Sequence, residues 1–251
     1  MKKRNMFFSA AIAILSLTAF EISFWEKGSE DNFLTIDFEF AYRVESRFVN
    51  TVSKEQMVKA STILDILPTC SKDITNSKYS NIKVTKFAEN RNDWTTIEGP
   101  DEVLTKEQTE ILNSLEYGSS FSITGNVSND FDSGIRYSND TLIYYMTVVP
   151  EKPAAYSDGN DALVEYLKKN SEEVISIAQR DRIQPGKISF NVTRKGSIDS
   201  VSLDNTSGYK SIDDTMLKLI RNIPGNWNIA TDSQGKKVDH RLTFFFGIVG
   251  C

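Results

Sequence analysis

The stretch "GKISFNVTRKGSIDSVSLDN", residues 186–205, predicts a β-hairpin that decides the fold of the last third of the chain. Apolar and polar residues alternate along its first strand, and the apolar ones are Ile188, Phe190 and Val192. Gly196 gives the turn signal, because glycine adopts the left-handed conformations that tight turns need. Such a hairpin buries one face only, so another element must cover that face.

Helical patterns flank this hairpin on both sides. Residues 161–183 place apolar residues at helical spacing and fit either one broken helix or two short ones. Residues 211–223 carry a continuous apolar stripe that stops at Pro224, and we expect Ser211 to cap this helix with Asp214 three residues later. The amphipathic helix that results is expected to lie on the hairpin.

The last predicted strand also alternates between two faces. Its inward residues are Leu242, Phe244, Phe246 and Ile248, and its outward residues are Arg241, Thr243, Phe245 and Gly247. Trp227 precedes this strand, and we expect it in the core rather than as a platform for a ligand. Helix, hairpin, helix and strand are therefore the predicted order of the 151–251 domain.

Residues 31–150 predict a strand-rich domain with two short helices. Ser53 with Gln56, and Thr105 with Gln108, have the spacing of capping boxes at the two helix starts. The second helix is expected to end at Gly118. A boundary follows where two prolines and a glycine separate the apolar patterns, within residues 149–161.

The first 30 residues predict a segment that meets a membrane. Three basic residues precede an apolar run, residues 6–25, which is broken only by Glu21. This length is close to a bilayer span, and the basic start predicts a cytoplasmic N-terminus, hence a single-pass inner-membrane anchor with the bulk of the chain in the periplasm. The alternative is a cleaved signal that releases the chain into the periplasm, although the sites after Ala19 and Ser23 lack the preferred small residues.

Composition limits the chemistry that the chain can perform. The 251 residues have a net charge of -5 with both signs interspersed, so we expect no nucleic-acid partner. One histidine and two cysteines are too few for a zinc site or a nucleophile with its base, and we expect no enzyme, metal or cofactor. Asp213 and Asp214 diverge on a helix and are expected to support its dipole. Cys70 and Cys251 could form a disulfide, or be a buried thiol and a frayed terminal residue.

The C-terminal motifs resemble the C-terminal domain of TonB-family energy transducers, in the version common in Bacteroidetes, over residues 158–249. The resemblance is carried by the helical motif Gly159, Ala162, Leu163, Tyr166, Leu167 and Asn170, by the hairpin motif Gly186, Ile188, Phe190, Val192, Gly196 and Ile198, and by Pro224, Trp227, Ile229, Ala230, Gly235, Lys236 and Val238. The sequence "SEEVI" replaces the usual "YP" after the first helix. The fold implied is α+β, with helices packed on a three-stranded antiparallel sheet.

A second and weaker resemblance covers residues 79–149. These residues are similar to the C-terminal region of the gliding-motility and secretion protein GldM, through Leu104, Thr105, Glu107, Gln108, Leu112, Leu115, Gly118 and the strand 121–123. The similarity ends after Gly125. It implies a periplasmic structural module.

The TonB resemblance implies a protein that grips an extended segment of an outer-membrane transporter by adding it to its sheet, powered by a proton-driven inner-membrane motor. We expect the last strand at a sheet edge, where unpaired backbone groups can accept such a segment. Arg241, Thr243, Phe245 and Gly247 are then the predicted partner-binding residues, although Phe245 could equally pack under a loop or the first helix. The predicted anchor has no histidine and no proline-rich spacer follows it, so the alternative is a cell-envelope structural or assembly adaptor without a transport role.

Overall fold

Apolar alternation along the described part of the chain organises two large β-sheets, each with its own helices and core, beside a short two-stranded ribbon. The computed structural model describes residues 39–68, 77–88, 91–129, 140–179 and 182–248. Its strands are β1 (Phe40–Glu45), β2 (Asn50–Ser53), β3 (Ser77–Lys86), β4 (Thr95–Gly99), β5 (Ser120–Asn129), β6 (Asp140–Val149), β7 (Ala155–Tyr156), β8 (Gly186–Val192), β9 (Ile198–Asn205), β10 (Trp227–Asn228) and β11 (His240–Ile248). Its helices are α1 (Lys54–Lys59), α2 (Lys106–Asn113), α3 (Asn160–Ser176) and α4 (Lys210–Arg221), with short 3-10 helices at Ile63–Asp65 and Arg91–Asp93. The mixed α+β class is confirmed.

The first sheet has the strand order β2-β6-β5-β3-β4. β2 runs parallel to β6, and the remaining pairs are antiparallel. α1 and α2 pack together over this sheet, whose core residues include Met57, Ile82, Leu112, Phe121 and Met146. We call this unit the N-terminal module.

Capping chemistry starts both helices of the N-terminal module. The predicted box of Thr105 and Gln108 is confirmed, with both reciprocal hydrogen bonds present. Ser53 also accepts from the backbone of Gln56, but the Gln56 side chain donates to the carbonyl of Asp65 instead of returning to Ser53. The predicted helix end at Gly118 is wrong, because α2 ends at Asn113 with Ser114 as its C-cap.

The second sheet has the strand order β1-β11-β8-β9 and is antiparallel throughout. The predicted hairpin β8–β9 is confirmed, and Gly196 occupies its turn with a φ of 82°. α3 and α4 pack against each other and against the sheet. The core they enclose includes Leu167, Phe190, Met216, Phe244 and Phe246, and we call this unit the C-terminal module.

α3 is one continuous helix of 17 residues rather than a broken one. Ser171 lies near its middle, where a polar residue could have interrupted the apolar pattern. Its hydroxyl bonds back to the carbonyl of Leu167 and also contacts the hydroxyl of Tyr42 in β1, so the polar group is satisfied inside the helix.

The predicted cap of α4 is wrong. Tyr209 is the N-cap residue without a side-chain cap, and Ser211 already lies inside the helix. The carboxylate of Asp213 is buried and accepts from the Ser207 amide at 2.9 Å and from the hydroxyls of Ser207 and Thr206. Asp213 therefore secures the loop before α4, while Asp214 only pairs with Lys210 at the surface.

The predicted three-stranded sheet is in fact four-stranded. Residues 40–45, which the sequence predicts as part of the 31–150 domain, form β1 and pair with the last strand, β11. The physical reason is that Phe40, Tyr42 and Val44 alternate as an apolar face that packs on the core of the C-terminal module. The described residues of both modules belong to one compact unit that begins at Glu39.

The predicted membrane segment of residues 6–25 lies outside the described residues. Cys70 and Cys251, the predicted disulfide pair, also lie outside them. Within the ranges that are described, no helix combines the length and apolar character that a membrane span requires.

Candidate functional site

The last strand, β11, lies inside the sheet and not at its edge. β1 pairs with it from Phe40 opposite Ile248 to Glu45 opposite Thr243, and β8 pairs with its other side. The predicted free edge of β11 is therefore wrong in this structure. Its backbone groups on that side are already paired with a segment from the chain's own N-terminal part.

Several side chains hold β1 in this position. The Tyr42 hydroxyl lies 2.8 Å from the hydroxyl of Ser171 in α3, and its ring stacks 6.3 Å from that of Phe244. Burial raises the pKa of Tyr42 above its ordinary value. The hydrogen bond with Ser171 lowers this pKa by a smaller amount, so the phenol stays protonated. β1 is thus an edge strand whose apolar face, half-buried at Phe40, Tyr42 and Val44, packs against the core.

The four predicted partner-binding residues do share one face of β11, the face opposite the helices. Thr243 is buried with 2% of its surface exposed, and Gly247 approaches the carbonyl of Gln184 so closely that a Cβ there would overlap it. Phe245 is half-buried beneath Arg43 of β1, whose guanidinium carbon lies 5.7 Å from the ring centroid. Packing against a neighbouring strand, rather than under a loop or helix, is what covers Phe245.

Arg241, the fourth predicted residue, contacts the N-terminal module. A Cβ built on Gly118 would lie 2.6 Å from the Cβ of Arg241, so the two backbones approach closely. Arg241 also lines a cleft between the two modules. The predicted set therefore divides, with Gly247 packed against the backbone of Gln184, Phe245 beneath Arg43, and Arg241 and the buried Thr243 lining the cleft.

The two outer strands of the C-terminal sheet differ in regularity. β9 pairs with β8 through two register shifts, and Ser200 within β9 has a φ of 51°. Such bulges disrupt pairing and protect an edge from further strands. β1 pairs with β11 over six consecutive residues without a shift, and in the described residues its other side has no partner strand. The β1 side is the edge better suited to accept another strand.

His240 begins β11 and serves the structure. Its side chain is buried, and Nδ1 accepts a hydrogen bond from the backbone amide of Ala154 at 3.1 Å. Burial lowers the pKa of His240 to about 4, so the imidazole is neutral at physiological pH. Nδ1 as an acceptor places the proton on Nε2.

Trp227 lies in the core, as predicted. Only 8% of its surface is exposed, and its ring makes edge contacts with Tyr156 at 5.6 Å and Phe190 at 6.0 Å. β10, which holds Trp227, pairs with β7 in a short ribbon that closes this end of the C-terminal module. The tryptophan therefore stabilises the scaffold.

Potential metal ligands do not gather in the part of the chain that is described. No group of three or more His, Cys, Asp or Glu side chains there could hold a metal ion. Buried polar residues such as Asp213 and Gln108 are instead occupied by hydrogen bonds to the backbone.

Comparison with protein-family models, with curated proteins and with solved structures finds no match to this chain. The resemblances to TonB-family and GldM proteins stay predictions that rest on the sequence motifs.

Sequence reasoning missed the role of β1. Its alternation, with Phe40, Tyr42 and Val44 on one face, was sufficient to predict a strand with one buried face. The order of the chain then favoured pairing with nearby strands, whereas the true partner, β11, lies almost at the other end of the sequence.

Proposed function

We propose that this chain is a membrane-tethered periplasmic TonB-like protein whose C-terminal sheet binds an envelope protein by strand addition. The observation that supports this proposal is the pairing of β1 with β11. A six-residue extended segment from a distant part of the chain occupies that side of the sheet in antiparallel register. Main-chain hydrogen bonds of this kind provide affinity for an added strand, and pockets for alternate side chains provide selectivity.

The position of β1 leaves a partner two ways to bind. An incoming segment either pairs with the outer side of β1 or replaces β1 beside β11. Replacement would have to offset the burial of Phe40, Tyr42 and Val44, whereas pairing with β1 leaves the core intact. Addition to the outer side of β1 is the route with the smaller energetic cost.

A photo-crosslinking residue in place of Arg43, introduced into the full chain in cells, tests this proposal. Arg43 is exposed and lies on the edge strand, so a partner strand at β1 comes within reach. The matched control is the same residue at Arg194, which is exposed in the hairpin turn on β8–β9. Capture of an envelope protein from position 43 and not from position 194 is expected; equal capture from both positions, or none from position 43, contradicts the proposal.

A disulfide lock separates the two routes. Arg43 and Phe245 are directly opposite each other, so Arg43→Cys with Phe245→Cys, in a chain whose Cys70 and Cys251 are serine, would fix β1 to β11. Here the crosslinking residue is moved to Glu45, also on β1. Addition to β1 predicts capture with the lock closed or open, whereas replacement predicts capture only after reduction.

A role as an envelope structural or assembly adaptor, without transport, is the second candidate. The observation that favours it is the folded N-terminal module, which fills the place where energy transducers of the TonB family have a proline-rich spacer. Dissipating the proton gradient distinguishes the candidates in the crosslinking experiment. Gradient-dependent capture of an outer-membrane transporter supports energy-coupled transport, and gradient-independent capture of other envelope components supports the adaptor.

A further inference from the structure

A cleft of about 290 Å³ separates the two modules on the side opposite α3 and α4. The N-terminal module contributes Phe87, Ala88 and the loop Tyr117 to Ser120, and the C-terminal module contributes Ser189, Asp204, Arg241 and Thr243. Arg47, from the connection between β1 and β2, completes the lining. The cleft is thus built from three distant parts of the chain, and its volume is at the lower limit of small-molecule sites.

Positive charge is in excess around this cleft. Arg47 and Arg241 line it, Lys187 lies beside it, and Asp204 is the lining carboxylate. Asp204 is already engaged, since it lies 3.5 Å from the Lys187 ammonium and accepts hydrogen bonds from the hydroxyls of Ser189 and Ser202. Among the described residues, neither Arg47 nor Arg241 has a carboxylate within ion-pair distance, so two guanidinium groups are left without a counter-charge.

The pKa of Lys187 reflects how close these cations lie to one another. Burial lowers the pKa of its ammonium, and Arg47 and Arg241 lower it further, against the opposing effect of Asp204. Like charges held this close destabilise one another unless an anion lies between them. The cleft therefore has a positive potential that its own carboxylate does not neutralise.

Hydroxyl groups supply further donors around the cleft. Ser120 lines it, is 3% exposed, and has no hydrogen-bond partner for its hydroxyl within the described residues. A buried hydroxyl without a partner is destabilising, and most such groups in proteins are satisfied. A ligand with several acceptor oxygens would satisfy it, as it would the guanidinium groups.

We propose that this cleft binds a small oxyanion, a phosphate or a carboxylate, between Arg47 and Arg241. Guanidinium groups match the geometry of both anions through paired hydrogen bonds. Phe87 and Tyr117 also line the cleft, so an apolar part of the ligand would contact their rings. Because the lining comes from both modules, the bound anion also joins them. This proposal does not depend on strand addition.

Thermal unfolding of the full chain tests the proposal. Potassium phosphate and potassium acetate are titrated against potassium chloride at constant ionic strength, and the phosphorus NMR signal of inorganic phosphate reports binding directly. Specific binding predicts a Tm that rises with the logarithm of the anion concentration, and a broadening of the NMR signal that reports a site which saturates. Phosphate also stabilises proteins generally by exclusion from their surface, but that effect rises in proportion to the phosphate concentration and does not broaden the NMR signal.

Two variants make the test specific. Arg47→Gln and Arg241→Gln are each expected to weaken the affinity of the cleft for the anion about tenfold, since a charge-assisted hydrogen bond is lost. Arg194→Gln is the matched control, because Arg194 is an exposed arginine that pairs with Asp239 away from the cleft. Arg47 is exposed in a connecting segment, so its variant keeps the test valid if Arg241→Gln fails to fold.

The outcomes show whether the site exists and which anion it binds. Saturable binding of phosphate alone identifies a phosphate-bearing ligand, and saturable binding of acetate alone identifies a carboxylate. No saturable effect from either anion, or an effect that Arg47→Gln and Arg241→Gln leave as strong as Arg194→Gln does, overturns the proposal.

Discussion

At the scale of single residues, Asp213 is the polar group whose removal should be most costly. Its buried carboxylate accepts hydrogen bonds from the amide and hydroxyl of Ser207 and from Thr206. Asp213→Ala leaves these donors without a partner, and we expect a loss of about 2 to 3 kcal/mol in the free energy of unfolding by urea. Asp214→Ala is the control, since its exposed pair with Lys210 contributes about 0.5 kcal/mol or less. Equal losses for the two variants would contradict this role of Asp213.

His240 should make the stability of the chain depend on pH. The unfolded chain binds a proton near pH 6.5 and the folded protein only near pH 4, because burial disfavours the imidazolium. The contribution of His240 to the free energy of unfolding is therefore fully present above about pH 6.5. It falls by about 3 kcal/mol as the pH drops towards 4. Urea unfolding at pH 7, 5.5 and 4.5 measures the slope. His240→Gln should flatten it in this window, and an unchanged slope would show that other groups cause the dependence.

At the scale of secondary-structure elements, β1 should control access to β11. Val44 packs on the core of the C-terminal module, so Val44→Asp places a carboxylate in an apolar environment and should detach the strand. Hydrogen exchange should then accelerate about tenfold or more at the β11 amides that face β1, while amides of β5 in the other sheet keep their protection. Arg43→Gln changes the exposed face of the same strand and serves as the control. Unchanged exchange at β11 in Val44→Asp would mean that β1 contributes little to the sheet.

The elements that the sequence predicts well are those whose signals are local. The β8–β9 hairpin follows from alternation and Gly196, and the apolar stripe of α4 follows from its 3.6-residue period. Three features were beyond this reasoning. The pairing of β1 with β11 joins distant segments, Ser171 in α3 meets Tyr42 of β1, and the loop before α4 is bonded by Asp213 instead of Ser211. The first two involve contacts between distant segments, and the third is a loop contact that the capping pattern at Ser211 does not predict.

The sequence predicts part of the candidate site, namely which residues of β11 share a face, but not what surrounds them. The alternation of β11 correctly placed Arg241, Thr243, Phe245 and Gly247 on one face. The occupied edge and the cleft were not predictable, because both require β1 and the connection at Arg47 to cross between modules. No local pattern in the sequence encodes that crossing.

At the scale of the whole molecule, Gly118 is a point at which the two modules approach each other closely. Its φ is 81°, and a Cβ there would lie 2.6 Å from the Cβ of Arg241. Gly235 offers a matched control, with a φ of 78° and no heavy atom within 4 Å of an added Cβ. Alanine at either position strains the backbone by about 1 to 2 kcal/mol, but only Gly118→Ala also forces the modules apart.

Gly118→Ala should therefore lose about 1 to 3 kcal/mol more in the free energy of unfolding than Gly235→Ala, measured in urea. The difference isolates the contact between modules, because the cost of the left-handed conformation is common to both variants. Separation of the modules should also widen the cleft that Arg47 and Arg241 line, so the saturable effect of an oxyanion should weaken in Gly118→Ala and persist in Gly235→Ala. Equal stability of the two variants would show that the modules adjust to the added methyl group without loss. In that case the segment between β1 and β2, which holds Arg47, would fix the distance between the modules. Arg47→Gln would then be the more sensitive test of anion binding in the cleft.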